Sequence, residues 1–244
     1  MNWQDDAIVL TTKSFAEDYT LVTLLTKNHG LSKGLLRRTK RTPNFQNGTL
    51  VFANWKARLA DHLGILTLET MDVPFARLIH FPEKILFLNA ITTLCEMILA
   101  ERHPYQILYE SLNDFVIHLH KAHVFDFLKY VSFEFLCLKE IGFGFDFSTC
   151  GVCQKEVPIF YVSPKSGKGA CKDCGFVYRD KLFSLDVDAF LNADPSLVDR
   201  QKIKEALTLT GFFLKNHVIK QLKPTSELPK VREHLLQILY KTAA

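Results

Sequence analysis

The chain has 244 residues, 48% of them hydrophobic, and a formal net charge of +4. That length suits one large domain or two to three small ones, and the apolar content excludes wholesale disorder. The start, MNWQDDAIVL, has no basic segment before an apolar run, so no secretory signal is expected; FLKYVSFEFLCLKEIGFGF, though apolar, carries two lysines and two glutamates, so no membrane span is expected either.

Residues 7 to about 73 read as five short strands: AIVLTTKSF, YTLVTLLTK, LSKGLLRR, TLVFANWKARLA and GILTLETMDV. Turn material separates them, including NHG at 28–30 and QNG at 46–48. Five strands in so short a span predict a closed barrel, because closure removes exposed edges, and the OB-fold is the commonest five-stranded barrel of this kind. Asn47-Gly48-Thr49 also fits a glycosylation sequon, but in a cytoplasmic chain it reads as a turn. In the fourth strand, alternation puts Val51, Ala53, Trp55, Ala57 and Leu59 on one face and Phe52, Asn54, Lys56 and Arg58 on the other. Trp55 is then expected in the core, with Lys56 and Arg58 in solvent beside Phe52.

From Pro82 the apolar period becomes helical, with Ile85, Leu88, Cys95, Ile98 and Leu99 at near-helical spacing. His103-Pro104 breaks this helix, and a second carries Leu108, Leu112, Phe115 and Leu119 on one face. A third, from about 124 to 141, is apolar nearly all round (Phe125, Phe127, Leu128, Val131, Phe135, Leu136, Leu138) and is expected to be central, with Gly142 stopping it. Further helices are expected around 199–220 and from about Pro229. The expected architecture is α+β: an OB-fold barrel over residues 1–80, then a helical domain over 81–244 carrying a four-cysteine zinc module at 146–180.

That module is CGVCQKEVPIFYVSPKSGKGACKDC, residues 150–174, with two C-x-x-C pairs seventeen residues apart. Cys150, Cys153, Cys171 and Cys174 match the spacing of a four-cysteine zinc site, in which each C-x-x-C turn supplies two thiolates. A redox dithiol would need only one pair, and unligated thiols prefer apolar surroundings rather than Lys, Asp, Gly and Gln. A catalytic zinc keeps an open position and typically uses histidine, whereas four thiolates close the shell and no histidine lies between Asp126 and Asn216. The expected zinc is therefore structural. Gly151 and Gly175, each following a cysteine, suit knuckle turns needing positive φ. Cys95 and Cys137 lie in apolar helical runs and are expected to fill the core.

Charge makes the barrel informative. Between Asp18 and Asp61 there is no acidic residue, while Lys27, Lys33, Arg37, Arg38, Lys40, Arg41, Lys56 and Arg58 give a local +8. Such a run is either a solvated loop or a polyanion site, and a five-stranded barrel beneath it favours nucleic acid. The expected contacts are Lys33, Arg37, Arg38, Lys40, Arg41, Lys56 and Arg58, directed mainly to phosphate. Other candidates fade. In HLHKAH, only His120 and His123 could share a helix face, and Gly142 and Gly144 follow a helix where a dinucleotide loop needs a strand. No catalytic set assembles, so no enzyme is expected.

The order of parts resembles the bacterial DNA repair family RecO. The stretches that carry the likeness are DAIVLTTKSFAEDYTLVTLLTKNHGLSKGLLRR, LGILTLE, FEFLCLKEIGFGFDFSTCGVC and KQLKPTSEL, which spread over nearly the full chain. The resemblance implies a recombination mediator without catalytic turnover. It would bind single- and double-stranded DNA, anneal complementary strands and engage the acidic tail of the single-stranded-DNA-binding protein. With RecR it would help load RecA, placing it in a bacterial cytoplasm beside the nucleoid. Lys202, Lys204, Lys215, Lys220, Lys223, Lys230 and Arg232 offer a candidate cationic rim for the acidic tail. A general RNA- or transcription-associated barrel-plus-zinc protein is the alternative from composition alone; a zinc-dependent hydrolase is argued against by the closed thiolate shell.

Overall fold

The computed structural model describes residues 1–40, 42–59, 62–121, 127–186 and 199–241. Five strands, β1 (Asn2–Ala16), β2 (Tyr19–Thr26), β3 (Gly30–Arg37), β4 (Leu50–Lys56) and β5 (Gly64–Asp72), close a barrel in the order β1-β2-β3-β5-β4. All pairings are antiparallel except β3 with β5. The closed five-stranded barrel expected from the sequence is present. The turn glycines earn their places locally: Gly30 and Gly48 have φ of 68° and 79°, in the left-handed region. A Cβ on Gly30 would also stand 1.8 Å from the His103 carbonyl oxygen.

The barrel interior is filled by Ala7, Val9, Val22, Leu24, Leu36, Val51, Ala53, Trp55 and Leu66, with Phe45 reaching in from the β3–β4 connection. β4 alternates as read from the sequence: Val51, Ala53 and Trp55 are buried, Phe52, Asn54 and Lys56 exposed. Leu59 departs from that reading. The strand ends at Lys56, the alternation stops with it, and Leu59 is 56% exposed. β1 differs again, because Ala7, Ile8, Val9 and Leu10 are all buried. Its second face is covered by helix, which is why the sequence there is a continuous apolar run rather than an alternation.

After a short helix, α1 (Pro74–Leu78), come α2 (Pro82–Ile98) and α3 (Gln106–Lys121). Pro82 stands in the first turn of α2, where its missing N–H costs nothing. α2 packs on β1; Glu96 accepts from Lys13 Nζ at 2.7 Å and Thr23 Oγ1 at 3.3 Å. Leu108, Leu112, Phe115 and Leu119 of α3 are all buried, as is Cys95 of α2. These elements form one compact unit, Met1–Phe125 with Pro229–Gln237; the latter holds most of the last helix, α7 (Lys230–Lys241).

The second unit is Asp126–Leu228 with Ile238–Ala244. α4 (Phe127–Glu140) buries Tyr130, Val131, Phe133, Cys137 and Leu138; Phe125, expected in the same helix, lies outside the described residues. α4 ends as the sequence suggests: Gly142 has φ of 90°, its N–H bonds Lys139 O at 3.1 Å, and the Phe143 N–H bonds Leu138 O at 2.8 Å. This Schellman arrangement satisfies two carbonyls the helix leaves open. A three-stranded sheet follows, β6 (Ile159–Val162), β7 (Gly169–Cys171) and β8 (Phe183–Ser184), in the order β7-β6-β8, with α5 (Lys172–Phe176) after β7. α6 (Arg200–Phe213), N-capped by Asp199 Oδ1 accepting from the Gln201 N–H, runs on through a π-helical stretch, Leu214–Ile219, to a last turn at Lys220–Leu222. No helix among the described residues is long and apolar enough to cross a membrane.

Candidate metal centre and nucleic-acid interface

The four cysteines singled out by spacing come together. One Sγ from each of Cys150, Cys153, Cys171 and Cys174 lies within 4.8 Å of all the others, and Cys150 and Cys171 are buried. Sulfur atoms at the corners of a tetrahedral thiolate site stand about 3.8 Å apart, so the set fits one metal ion with little adjustment. Its first knuckle closes on itself, with Gln154 N–H to Cys150 O at 2.8 Å and Cys150 N–H to Lys155 O at 2.9 Å. The second knuckle begins where β7 passes into α5, at Cys171.

The knuckle glycines have another purpose than the one expected. Neither Gly151 nor Gly175 is among the positive-φ residues; Gln154, at 60°, takes that conformation in the first knuckle. Close approach is what favours glycine here, decisively at Gly175 and more weakly at Gly151. A Cβ on Gly175 would sit 2.2 Å from the Tyr161 ring, and one on Gly151 would meet Lys168 Cβ at 3.1 Å and Gly169 O at 3.2 Å.

The thiols are unequal. Burial pushes the Cys150 thiol up, yet the N–H groups of Cys153, Cys171 and Val152 bond its sulfur and bring it down to about 6. Hydrogen bonding to Cys171, burial and the neighbouring sulfurs push Cys174 up to about 12. One sulfur is thus prepared as a thiolate, and its charge opposes ionisation of the next. A cation at the centre removes that opposition. Cys95 and Cys137, both fully buried, are the core fillers expected. His118 lies on α3, while the side chain of His120 and all of His123 lie outside the described residues.

On the barrel, the seven expected phosphate contacts separate into groups. Lys33 and Arg37 flank Leu35 on the outer face of β3. Leu35 pairs with Ile65 of β5, which pairs in turn with Lys56 of β4. Register therefore places Lys33, Arg37 and Lys56 around one stretch of outer wall, and exposed Arg58 follows Lys56 into the β4–β5 loop. Exposed Lys40 lies in the β3–β4 connection. Two of the cations are engaged within the protein. Lys33 Nζ contacts Glu101 Oε1 at 2.6 Å, and the Arg38 guanidinium donates to Ala16 O at 2.7 Å and also to Glu17 O. Arg38 thereby fastens the β1–β2 turn. Arg41 lies outside the described residues. Phe52, exposed as expected, pairs with Asp6 on one side and Glu69 on the other, so two carboxylates flank the ring. That position is unsuited to stacking beside phosphates.

Sequence reasoning missed Asp5. It is 5% exposed and accepts from Asn28 N–H at 2.7 Å, Asn28 Nδ2 at 2.9 Å and His29 Nδ1 at 3.0 Å, tying the β2–β3 turn to β1. Burial pushes its carboxyl up, but bonds from Asn28 and His29 outweigh this and hold it below the usual carboxylate range. Nothing in the local pattern announces such a role. Arg232, proposed for a surface rim, is only 2% exposed and so is no part of one. Lys202 reaches Asp186 at 3.6 Å and Lys215 pairs with Glu227.

Comparison with known proteins agrees with this arrangement of parts. Residues 1–73 match the family described as Recombination protein O N terminal, and residues 81–225 match Recombination protein O C terminal. The chain is 37% identical to the DNA repair protein RecO of Bartonella henselae, over 98% of this chain and 92% of that protein. It is 34% identical to RecO of Sinorhizobium medicae, over 89% and 87%, and 30% identical to RecO of Anaplasma marginale, over 97% and 100%. With both family halves matched in order, and relatives alike over almost their full length, the chain belongs to the recombination protein O (RecO) family.

Proposed function

We propose that this protein is a DNA repair and recombination mediator that works by binding and aligning strands and has no catalytic turnover. The observation that carries this reading is the outer wall of the OB-fold barrel, where Arg37, Lys56 and Arg58 are exposed beside Leu35 and Ile65. Phosphate neutralisation there releases counterions whatever the base sequence, which suits a protein that must hold any strand. Both single- and double-stranded DNA are substrates for such a surface. Two strands held against it lose much of their mutual repulsion, so complementary bases can meet and anneal.

By analogy with its family, the protein acts with RecR on DNA covered by single-stranded-DNA-binding protein, engages that protein's acidic tail, and helps RecA to load. It works in the bacterial cytoplasm at the nucleoid. The metal is zinc: four thiolates form a soft, closed shell with no position for water, so the ion clamps the fold and does no chemistry. The test is annealing of complementary strands coated with single-stranded-DNA-binding protein. Acceleration by this protein, lost with the outer-wall cations, is the expected result; binding to folded RNA in preference to DNA, with no annealing, would overturn the reading.

A further inference from the structure

Both tryptophans of the chain, Trp3 and Trp55, line one cleft of about 770 Å³, within the first compact unit. That volume falls in the range of small-molecule sites. Its walls come from the starts of β1 and β3, the β2–β3 turn, the β4–β5 loop and the segment after α2. In an OB-fold, ligands lie along β2–β3 and the β1–β2 and β4–β5 loops, so the cleft opens beside the ligand face.

Inside it the aromatic rings are ordered. Trp3 stacks on Trp55, with centroids 5.7 Å apart and planes at 8°, and on His29, at 4.8 Å and 13°. The strand order β4-β1-β2 brings Trp55 to one side of Trp3 and His29, from the β2–β3 turn, to the other. At the Trp55 end the column is closed, because a Cβ on Gly64 would lie 2.2 Å from the indole; the indole N–H is also held, donating to Lys33 O at 3.0 Å. At the His29 end it is open: that side chain is 40% exposed. Asp5 holds the imidazole by its Nδ1, which sets the orientation of the ring. Lys33 and Arg102 also line the cleft, against one acid, Glu101.

We infer that this cleft receives one unstacked nucleobase of a bound single strand, laid on the open face of His29 as the next ring of the column. Arg102 stands on the wall where the adjoining phosphate would pass, and Asn2 and Ser32 offer polar groups to the base edge. This deepens the DNA-binding reading and rests on it. The column is already assembled before a ligand arrives, so a base can extend it with little reordering of the protein.

Because the only two tryptophans lie in the column, their emission reports its occupancy. The experiment uses the full-length protein with a thymidine oligonucleotide, an all-abasic strand of the same length, and free thymidine monophosphate. Binding of each strand is followed independently by anisotropy of an end label. The oligonucleotide should quench tryptophan emission and bind about tenfold tighter than the abasic strand, the discrimination expected from one stacked base. His29→Ala should abolish that preference while leaving abasic-strand affinity unchanged, and His29→Phe, which keeps a flat face, should restore it. If the oligonucleotide binds without quenching, or His29→Ala keeps the preference, the base lies elsewhere and the DNA reading survives. Equal quenching by the free nucleotide at the same concentration would make this a nucleotide site and overturn the inference. If neither strand binds at all, the DNA-binding reading itself fails.

Discussion

Replacing Arg37, Lys56 and Arg58 together with alanine tests the barrel surface most directly. A choice made from the charge run alone would include Arg38 and Arg41. Arg38, however, holds the Ala16 and Glu17 carbonyls, so its loss would disturb the β1–β2 turn and mix a structural effect with an electrostatic one. Arg37, Lys56 and Arg58 are exposed, so their removal should leave the barrel intact. If each makes one phosphate contact with a single strand, the slope of log affinity against log salt falls by about 0.7 per residue, or about 2 for the three. With the non-electrostatic part unchanged, affinity drops about a hundredfold at 0.1 M salt and about tenfold at 0.3 M, and the two proteins converge near 1 M. The assay is a salt titration of anisotropy on one labelled oligonucleotide, repeated on an unrelated sequence, with thermal unfolding as the control for folding. An unchanged slope would refute the reasoning, as would a loss of affinity equal at every salt concentration. Either would place the DNA site off this wall.

The Asp5 cluster predicts an acid-sensitive barrel. Its carboxyl is depressed in the folded state, so the stability it contributes is fully present above the usual carboxylate pKa of about 3.9 and is lost as pH falls through the lower folded value. Asp5→Ala should cost about 1–3 kcal/mol at neutral pH by removing the charge-assisted hydrogen bonds its carboxylate accepts from Asn28 and His29, and should flatten the pH dependence of unfolding below pH 4. Wild-type and variant curves that stay parallel through that range would contradict this. In the metal centre, Cys171→Ser should lower bound zinc and the melting temperature without changing the salt slope of DNA binding. Metal analysis finding no zinc in wild-type protein purified without chelator would sink the assignment. Gly175→Ala should also destabilise the second knuckle, by about 1–3 kcal/mol, because its Cβ would strike the Tyr161 ring at 2.2 Å.

Much of this protein is legible in one dimension, for reasons of period and chemistry. Alternation in β4 placed Trp55 inside and Lys56 outside because a strand has only two faces, and the apolar stripe of α3 announced its buried side for the equivalent helical reason. Gly142 marked the end of α4 because only a residue tolerant of positive φ fits there. The cysteine spacing marked a candidate metal site because two C-x-x-C turns are each a complete local unit, and the fold brings the four sulfurs together. What the sequence could not determine are relations between segments far apart along it. Strand register decides that Phe52 lies between Asp6 and Glu69, and that Lys56 shares a wall with Arg37. Tertiary contact turns Arg38 and Lys33 from phosphate candidates into groups with internal partners, and buries Arg232. It also explains Gly175 through Tyr161, and stacks Trp3, Trp55 and His29 into one column. A side chain's type and local period are written in the chain, but which partner reaches it depends on how distant stretches of backbone are brought together in each unit.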